Sequence, residues 1–223
     1  MTRGQAMLRA PRFAAPALLV TALAAALPWS PAAAQRTAAP EHLVIHDTRT
    51  SAPTVDISRV RADASWYWDS EQDVIVTVPN GFQPGHLLTV WFDVNGDSTA
   101  DGHYELSLGA PRKAGGKELR RSQVFRRGGG WGHGGSKARC GGSEGGPPVI
   151  DPVRRGQRSI SISLDLWWCL GKTPPNIDVD PGSWRIAVRV AKGEDADMAP
   201  NGRTWSKPVR GWGPCDPSGG PCP

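Results

Sequence analysis

Leu87-Leu88-Thr89-Val90-Trp91-Phe92-Asp93-Val94-Asn95-Gly96-Asp97-Ser98-Thr99-Ala100-Asp101-Gly102-His103-Tyr104-Glu105-Leu106-Ser107-Leu108 decides how the chain folds. It reads as strand, acidic loop, strand. Leu88, Val90 and Phe92 fall on one face of the first strand and Leu87, Thr89 and Trp91 on the other, because successive side chains on a strand point to opposite sides. Both faces are largely apolar, which suits a central strand in a packed sheet better than an edge. Beyond the loop, Tyr104, Leu106 and Leu108 resume the alternation, so the two strands are read as antiparallel neighbours joined by a long hairpin connection.

Working outward, further strands are expected around Asp56–Ala62, Val74–Val78, Arg158–Leu164 and Trp184–Val190, with a short one around Trp205–Val209. His42–His46 is a first strand or an ordered approach to one. Pro79-Asn80-Gly81 and Pro84-Gly85 are turn signals ahead of Leu87. Asp165–Gly171 has room for one helical turn, stopped by Gly171. Between Ala110 and Pro152 the pattern loosens. One strand candidate, near Ser122–Arg126, precedes the run Gly128-Gly129-Gly130-Trp131-Gly132-His133-Gly134-Gly135, and a long surface excursion tied down by Cys140 is expected there. Seven or eight short strands with regular turn signals and no long amphipathic helix predict an all-β chain, a single antiparallel β-sandwich of jelly-roll type with long Gly-rich loops. A closed barrel is the alternative.

The first 34 residues carry Arg3, Arg9 and Arg12 ahead of the apolar run Phe13–Leu27 and end on Ala32-Ala33-Ala34, the layout of a signal peptide. Pro16 and Pro28 interrupt the run, which is short for a bilayer span of ~20 residues. A secreted protein with no membrane insertion of the mature chain is therefore expected. Residues 35–46 read as a leader, 47–210 as the sandwich and 211–223 as a Gly/Pro-rich tail. Loss of the signal peptide takes three Arg and no acid, so the formal charge falls from +5 to +2. That balance argues against nucleic acid as a partner, and the basic run Arg112–Arg127 is read as a solvated edge. All four cysteines lie in the exported part, where an oxidising compartment favours disulfides over zinc. Of the three possible connectivities, Cys140–Cys169 with Cys215–Cys222 is favoured. The first closes a loop of about 30 residues, worth roughly 3–4 kcal/mol by chain entropy.

Asp93, Asn95, Asp97 and Asp101 stand at relative positions 1, 3, 5 and 9 of the acidic loop, the oxygen spacing that surrounds a hard cation. With a backbone carbonyl from Thr99 and water, they are the candidate ligands for Ca²⁺. Ser98 at position 6 and Tyr104 at position 12 depart from the helix-loop-helix pattern, so a structural ion in a β-hairpin loop is expected, similar to those of integrin-type and thrombospondin-type repeats. The rival reading is a polar turn without an ion. Trp66, Tyr67, Trp68, Trp131 and Trp212 cannot be assigned to the core. They are candidate platforms for stacking a sugar ring. Trp91, Trp184 and one of Trp167 and Trp168 are placed in the core.

Catalytic patterns are weak. His42 and His46 share a strand face but lack a third ligand nearby, no Gly-x-Ser-x-Gly elbow occurs, and no pair among Glu105, Asp69, Asp73, Asp165 and Glu144 stands out for glycoside hydrolysis. No catalytic residue is nominated.

The order Phe92-Asp93-Val94-Asn95-Gly96-Asp97, Asp101-Gly102-His103-Tyr104-Glu105-Leu106, a Cys beside a Gly-rich loop, then Ser161-Ile162-Ser163-Leu164 and Trp167-Trp168-Cys169-Leu170-Gly171, is similar to uncharacterised secreted β-sandwich proteins of bacteria. These in turn look like the DOMON and family-nine carbohydrate-binding-module superfamily. The resemblance covers about Asp47–Pro208 and implies a sandwich that binds sugar or haem. Haem wants axial Met and His, and Met198 is the one methionine outside the signal peptide. The reading that follows is a non-enzymatic extracellular binding module, stabilised by Ca²⁺, with carbohydrate or cell-envelope glycan as ligand. A secreted hydrolase without a recognisable motif and a purely structural envelope protein are the alternatives.

Overall fold

The computed structural model describes residues 42–48, 53–64, 71–140, 151–170 and 183–210. All of them fall within the compact unit Thr37–Pro223. The expected signal peptide, the tail with Cys215 and Cys222, and the aromatic candidates Trp66, Tyr67, Trp68 and Trp212 lie outside the described residues.

Two antiparallel sheets face each other. The smaller runs β1 (His42–His46), β2 (Arg59–Ala64), β3 (Glu71–Thr77) and β8 (Ser159–Asp165), in that order. The larger runs β10 (Asp195–Ala199), β9 (Ser183–Lys192), β4 (Leu87–Asp93), β5 (Gly102–Pro111), β6 (Leu119–Arg127) and β7 (Ser136–Ala138), and β11 (Val209–Arg210) pairs with β9. The chain is thus a β-sandwich. β4 sits centrally between β9 and β5, with Phe92 opposite both Ile186 and Gly102.

The alternation seen in the sequence becomes the division between core and surface. Leu88, Val90 and Phe92 of β4, Tyr104, Leu106 and Leu108 of β5, and Ile186, Val188 and Val190 of β9 meet Val60, Val74, Val76, Ile160, Ile162 and Leu164 of the smaller sheet in one core. β-Branched residues dominate this contact because their stiff side chains pack well on a pleated surface. Ser159 and Ser161 of β8 point to solvent while the residues between them are buried, as their alternation predicts. Trp184 joins the core and packs 6.2 Å, centroid to centroid, from Phe92. α1 (Leu166–Leu170) is the single helical turn expected before Gly171. Its Cys169 is disulfide-bonded to Cys140, the favoured pairing.

The structure departs from the sequence reading in several places. Of the two readings of His42–His46, the first strand is the one found: it is β1 and pairs with β2 in full register. The loosened stretch after Ala110 is more regular than expected. β6 runs nine residues and pairs with β5, and the Gly-rich run is a tight connection to β7 instead of part of a long excursion. Periodicity failed there because only Leu119 and Phe125 of β6 are buried, among exposed or half-exposed Arg, Ser and Gln. Met198 lies in β10, a strand not expected from the sequence. The short strand expected at Trp205–Val209 is only Val209–Arg210. Among the described residues no helix is long and apolar enough to cross a membrane.

Candidate functional site

The loop between β4 and β5 is built on its own side chains. Asp93 is fully buried; its Oδ1 accepts from the Gly96 amide at 2.7 Å and its Oδ2 from the Ser98 amide at 3.1 Å. Asn95 Oδ1 accepts from the Asp97 amide, Asp97 Oδ1 from the Thr99 amide, and Asp101 Oδ2 from the Val94 amide. Short polar side chains that bond the backbone two or more residues on are the usual way a chain closes such a turn. Ser98, at the sixth loop position, has φ of 70°. This left-handed conformation is the one for which ion loops use Gly, and here the bond from Asp93 holds it.

Three of the five candidate ligands, Asn95, Asp97 and Asp101, therefore converge. Asn95 Nδ2 stands 3.2 Å from Asp97 Oδ2 and 3.3 Å from Asp101 Oδ1, so both carboxylates converge on one donor. Thr99 is exposed and enters through its amide alone. Asp93, already held by the loop amides, also has Nη2 of Arg185 2.6 Å from its Oδ2. Three carboxylates thus share one nearby guanidinium. Burial raises the Asp101 pKa, and the charges of Asp93 and Asp97 raise it further against the bonds from Val94 and Asn95. Among the described residues no three His, Cys, Asp or Glu side chains already stand as a metal-ligand set.

A second constellation lies on the outer face of the larger sheet. Trp91 of β4 is opposite His103 of β5 and Ala187 of β9, and Thr89 is opposite Glu105. Two loops cover this face. From the β6–β7 connection come Trp131 and His133, and from the segment before β11 comes Trp205. Trp91, Ala100 and Ala187 form a small apolar cluster separate from the main core, with Trp131, Trp205 and Met198 packed on it half-buried. Trp131 lies 4.6 Å from Trp205 and 5.7 Å from Trp91, centroid to centroid.

The connection that carries Trp131 is glycine-rich for steric reasons. A Cβ on Gly135, where φ is 100°, would stand 2.4 Å from the Arg127 carbonyl oxygen, and one on Gly129 would stand 2.5 Å from that of Gly134. Close backbone approach at a positive φ leaves no room for a side chain.

Polar groups lie under the aromatics. His103 is fully buried, its ring flanked by those of Trp91 and His133 at 6.4 Å each. Burial lowers its pKa, against the charge of Glu105, which favours the charged form. Glu105 Oε1 contacts Nδ1 of His133 and lies 3.6 Å from Nε2 of His103. Among the described residues, Thr89 Oγ1, Trp91 Nε1 and both ring nitrogens of His103 are buried without a hydrogen-bond partner. Native folds rarely leave such groups unmatched unless water or a ligand meets them.

The two constellations touch. Nε1 of Trp205 donates to the Ser98 carbonyl at 2.9 Å, so the acidic loop orients one of the tryptophans on the outer face.

A third acidic group lies between β10 and the segment before β2. Burial, first, and neighbouring carboxylates raise the pKa of both Asp47 and Asp197. Two converging carboxylates with raised pKa are what a hydrolase would need. Asp197, however, accepts from the Ile57 and Met198 amides, and Asp47 from the Thr48 amide and Asn201. That is the geometry of a clamp on the chain. His42 is bonded to Asp63, and His46 faces Arg59 across the strand pair, a cation unsuited to a shared metal.

Of the sugar-platform candidates, Trp131 is the one among the described residues, and it is half-buried on the outer face. Trp91, placed in the core from sequence, lies in the outer cluster instead. Trp205, His103, His133 and Glu105 were not singled out as a group. The one signal for them is Trp131 and His133 set two apart among glycines, since the other members come from distant segments. No protein-family model, curated protein or solved structure matches the chain.

Proposed function

We propose that the chain is a secreted, non-enzymatic binding module for carbohydrate, which it holds on the outer face of the larger sheet. The observation that carries this is the covering of that face by Trp131 and Trp205 above buried, unmatched polar atoms of Thr89, Trp91 and His103. Aromatic rings with polar groups beside them suit a ligand that is apolar on its ring faces and rich in hydroxyls at its edge. Glu105, bonded to His133, adds a carboxylate beneath the rings.

Ca²⁺ belongs to the same proposal as a structural ion. Asp97 and Asp101 converge on Asn95, and Arg185 offsets only one of the three loop charges. A divalent cation held by Asn95, Asp97 and Asp101 would neutralise the remainder. The sugar-binding β-sandwich resemblance and the disulfide between Cys140 and Cys169, a feature of oxidising compartments, support the same reading.

The test is a glycan array and polysaccharide pull-down, with and without Ca²⁺, on the wild type and on Trp131→Ala. Retained polysaccharides lost in Trp131→Ala support the reading. Retention unchanged by that substitution, or absent throughout, overturns it.

A further inference from the structure

The chain's charge is strongly divided. Between Arg112 and Arg139 there are nine Lys and Arg and one acid, Glu118, a local balance of +8. The remainder of the chain after the signal peptide then carries −6, which together give the +2 of the mature protein. Averaged over the chain, this asymmetry disappears.

The fold gathers these cations along one edge. They lie on the β5–β6 turn, on β6, and on or just after β7 at the sheet's end. Lys113, Lys117, Arg120, Lys137 and Arg139 are exposed, and among the described residues no carboxylate pairs with them. Glu118 is already engaged by Arg112 at 3.7 Å. A nine-residue strand such as β6 spans about 30 Å, so the charge forms a track instead of a point. Arg127, at the end of β6, leads directly into the connection that presents Trp131 and His133. Six of the nine cations and the aromatic platform are therefore carried by the β6–β7 hairpin, and the other three lie on the turn before it.

We propose that the ligand is an acidic polysaccharide, with one sugar seated at Trp131 and its carboxylates running along the β6–β7 edge. This rests on the carbohydrate reading above and narrows it to a substrate class. Charge complementarity carries it: an isolated edge strand is kept from aggregating by one or two lysines, whereas a net +8 over the β5–β6 turn and the β6–β7 hairpin attracts a polyanion across a Debye length. A polymer with regularly spaced carboxylates meets such a track at several points, and a neutral glycan meets it at none.

The experiment compares polygalacturonate with its methyl-esterified form, which keeps the sugar backbone and removes the charge. Binding of the secreted protein to each is measured between 50 and 300 mM NaCl, with duplex DNA as a second polyanion. The variants are Lys113→Glu/Lys117→Glu/Arg120→Glu, all exposed and checked for unchanged melting, and Trp131→Ala. Support is tighter binding of the acidic form by about tenfold or more at low salt, weakening as salt rises, abolished by charge reversal and reduced by Trp131→Ala. Equal binding of both forms overturns the acidic assignment and leaves the carbohydrate reading standing. Binding of neither form overturns both. DNA bound as tightly as polygalacturonate, and equally by Trp131→Ala, overturns the commitment to a sugar polymer. Aggregation of the charge-reversed variant with polymer binding intact reduces the track to edge protection and overturns the proposal.

Discussion

Asp93 and Arg185 face each other across the β4–β9 pair, with Nη2 of the arginine 2.6 Å from Oδ2 of the aspartate. The carboxylate is fully buried at the mouth of the acidic loop and also holds the Gly96 and Ser98 amides. Removing the guanidinium leaves a buried charge without its partner. Arg185→Met should therefore cost about 3–5 kcal/mol in denaturant unfolding, and Asp93→Asn added to it should recover part of the loss. A loss below ~1 kcal/mol would mean the pair is solvated in solution.

Calcium should raise the melting temperature and chelator should lower it, because a ligand that binds only the folded state stabilises it. The effect should shrink in Asp97→Ala and in Asp101→Asn, which remove the two carboxylates that converge on Asn95. Identical melting with chelator and with millimolar Ca²⁺, together with unchanged melting of Asp97→Ala, would exclude the ion.

Asp101 also sets a pH dependence. Its pKa is raised above 3.8 in the folded chain, so its contribution is fully present below 3.8 and is lost as pH rises through the raised value. His103 acts in the opposite direction. Burial lowers its pKa from 6.5, so its contribution is present above 6.5 and is lost as pH falls through the lowered value. His86, also lowered by burial, adds to that trend. Melting followed downward from pH 7 should fall below about 6.5, and His103→Gln should flatten the decline. An unchanged slope in that variant would show that the buried ring does not titrate in this range.

Gly135→Ala should damage the outer aromatic face more than the sandwich. The added Cβ would meet the Arg127 carbonyl at a backbone angle that L side chains avoid. A cost of about 1–3 kcal/mol is expected for such strain. Tryptophan fluorescence should report altered packing of Trp131, and polysaccharide retention should fall, with far-UV circular dichroism unchanged. Full retention would show that the connection tolerates rearrangement.

Reducing the Cys140–Cys169 bridge, which spans 29 residues, should lower stability by about 3–4 kcal/mol on the chain-entropy account. Cys140→Ser/Cys169→Ser tests this with the tail cysteines left in place. No change in unfolding midpoint would place the bridge's contribution near zero.

The sequence revealed what depends on neighbours. Alternation in Arg158–Leu164 and Trp184–Val190 fixed strands and inward faces, because one apolar residue in two has a single place to go. The acidic loop was legible for the same reason: its bonds run between residues two to seven apart. Arg185 was not legible as the partner of Asp93, since only the β4–β9 register brings them together. Trp205 was missed because its contacts to Trp131 and Ser98 join segments with no shared pattern. β10 was missed because Asp195 and Asp197 look like loop residues, yet Asp197 is buried to hold the Ile57 amide. β6 was underestimated because its inward residues are few among its arginines.

The larger sheet has packing on both sides, but of different kinds: β4 turns Val90 and Phe92 toward the main core and Trp91 toward a small cluster of its own. Trp131, His133 and Trp205 are not part of the core between the sheets, so substitutions there should leave that contact in place. If the outer face binds as proposed, a graft of new residues onto the two covering loops should change what the molecule recognises while keeping the same scaffold. For the same reason, amide exchange in those loops should proceed by local opening, far faster than in β4 beneath them.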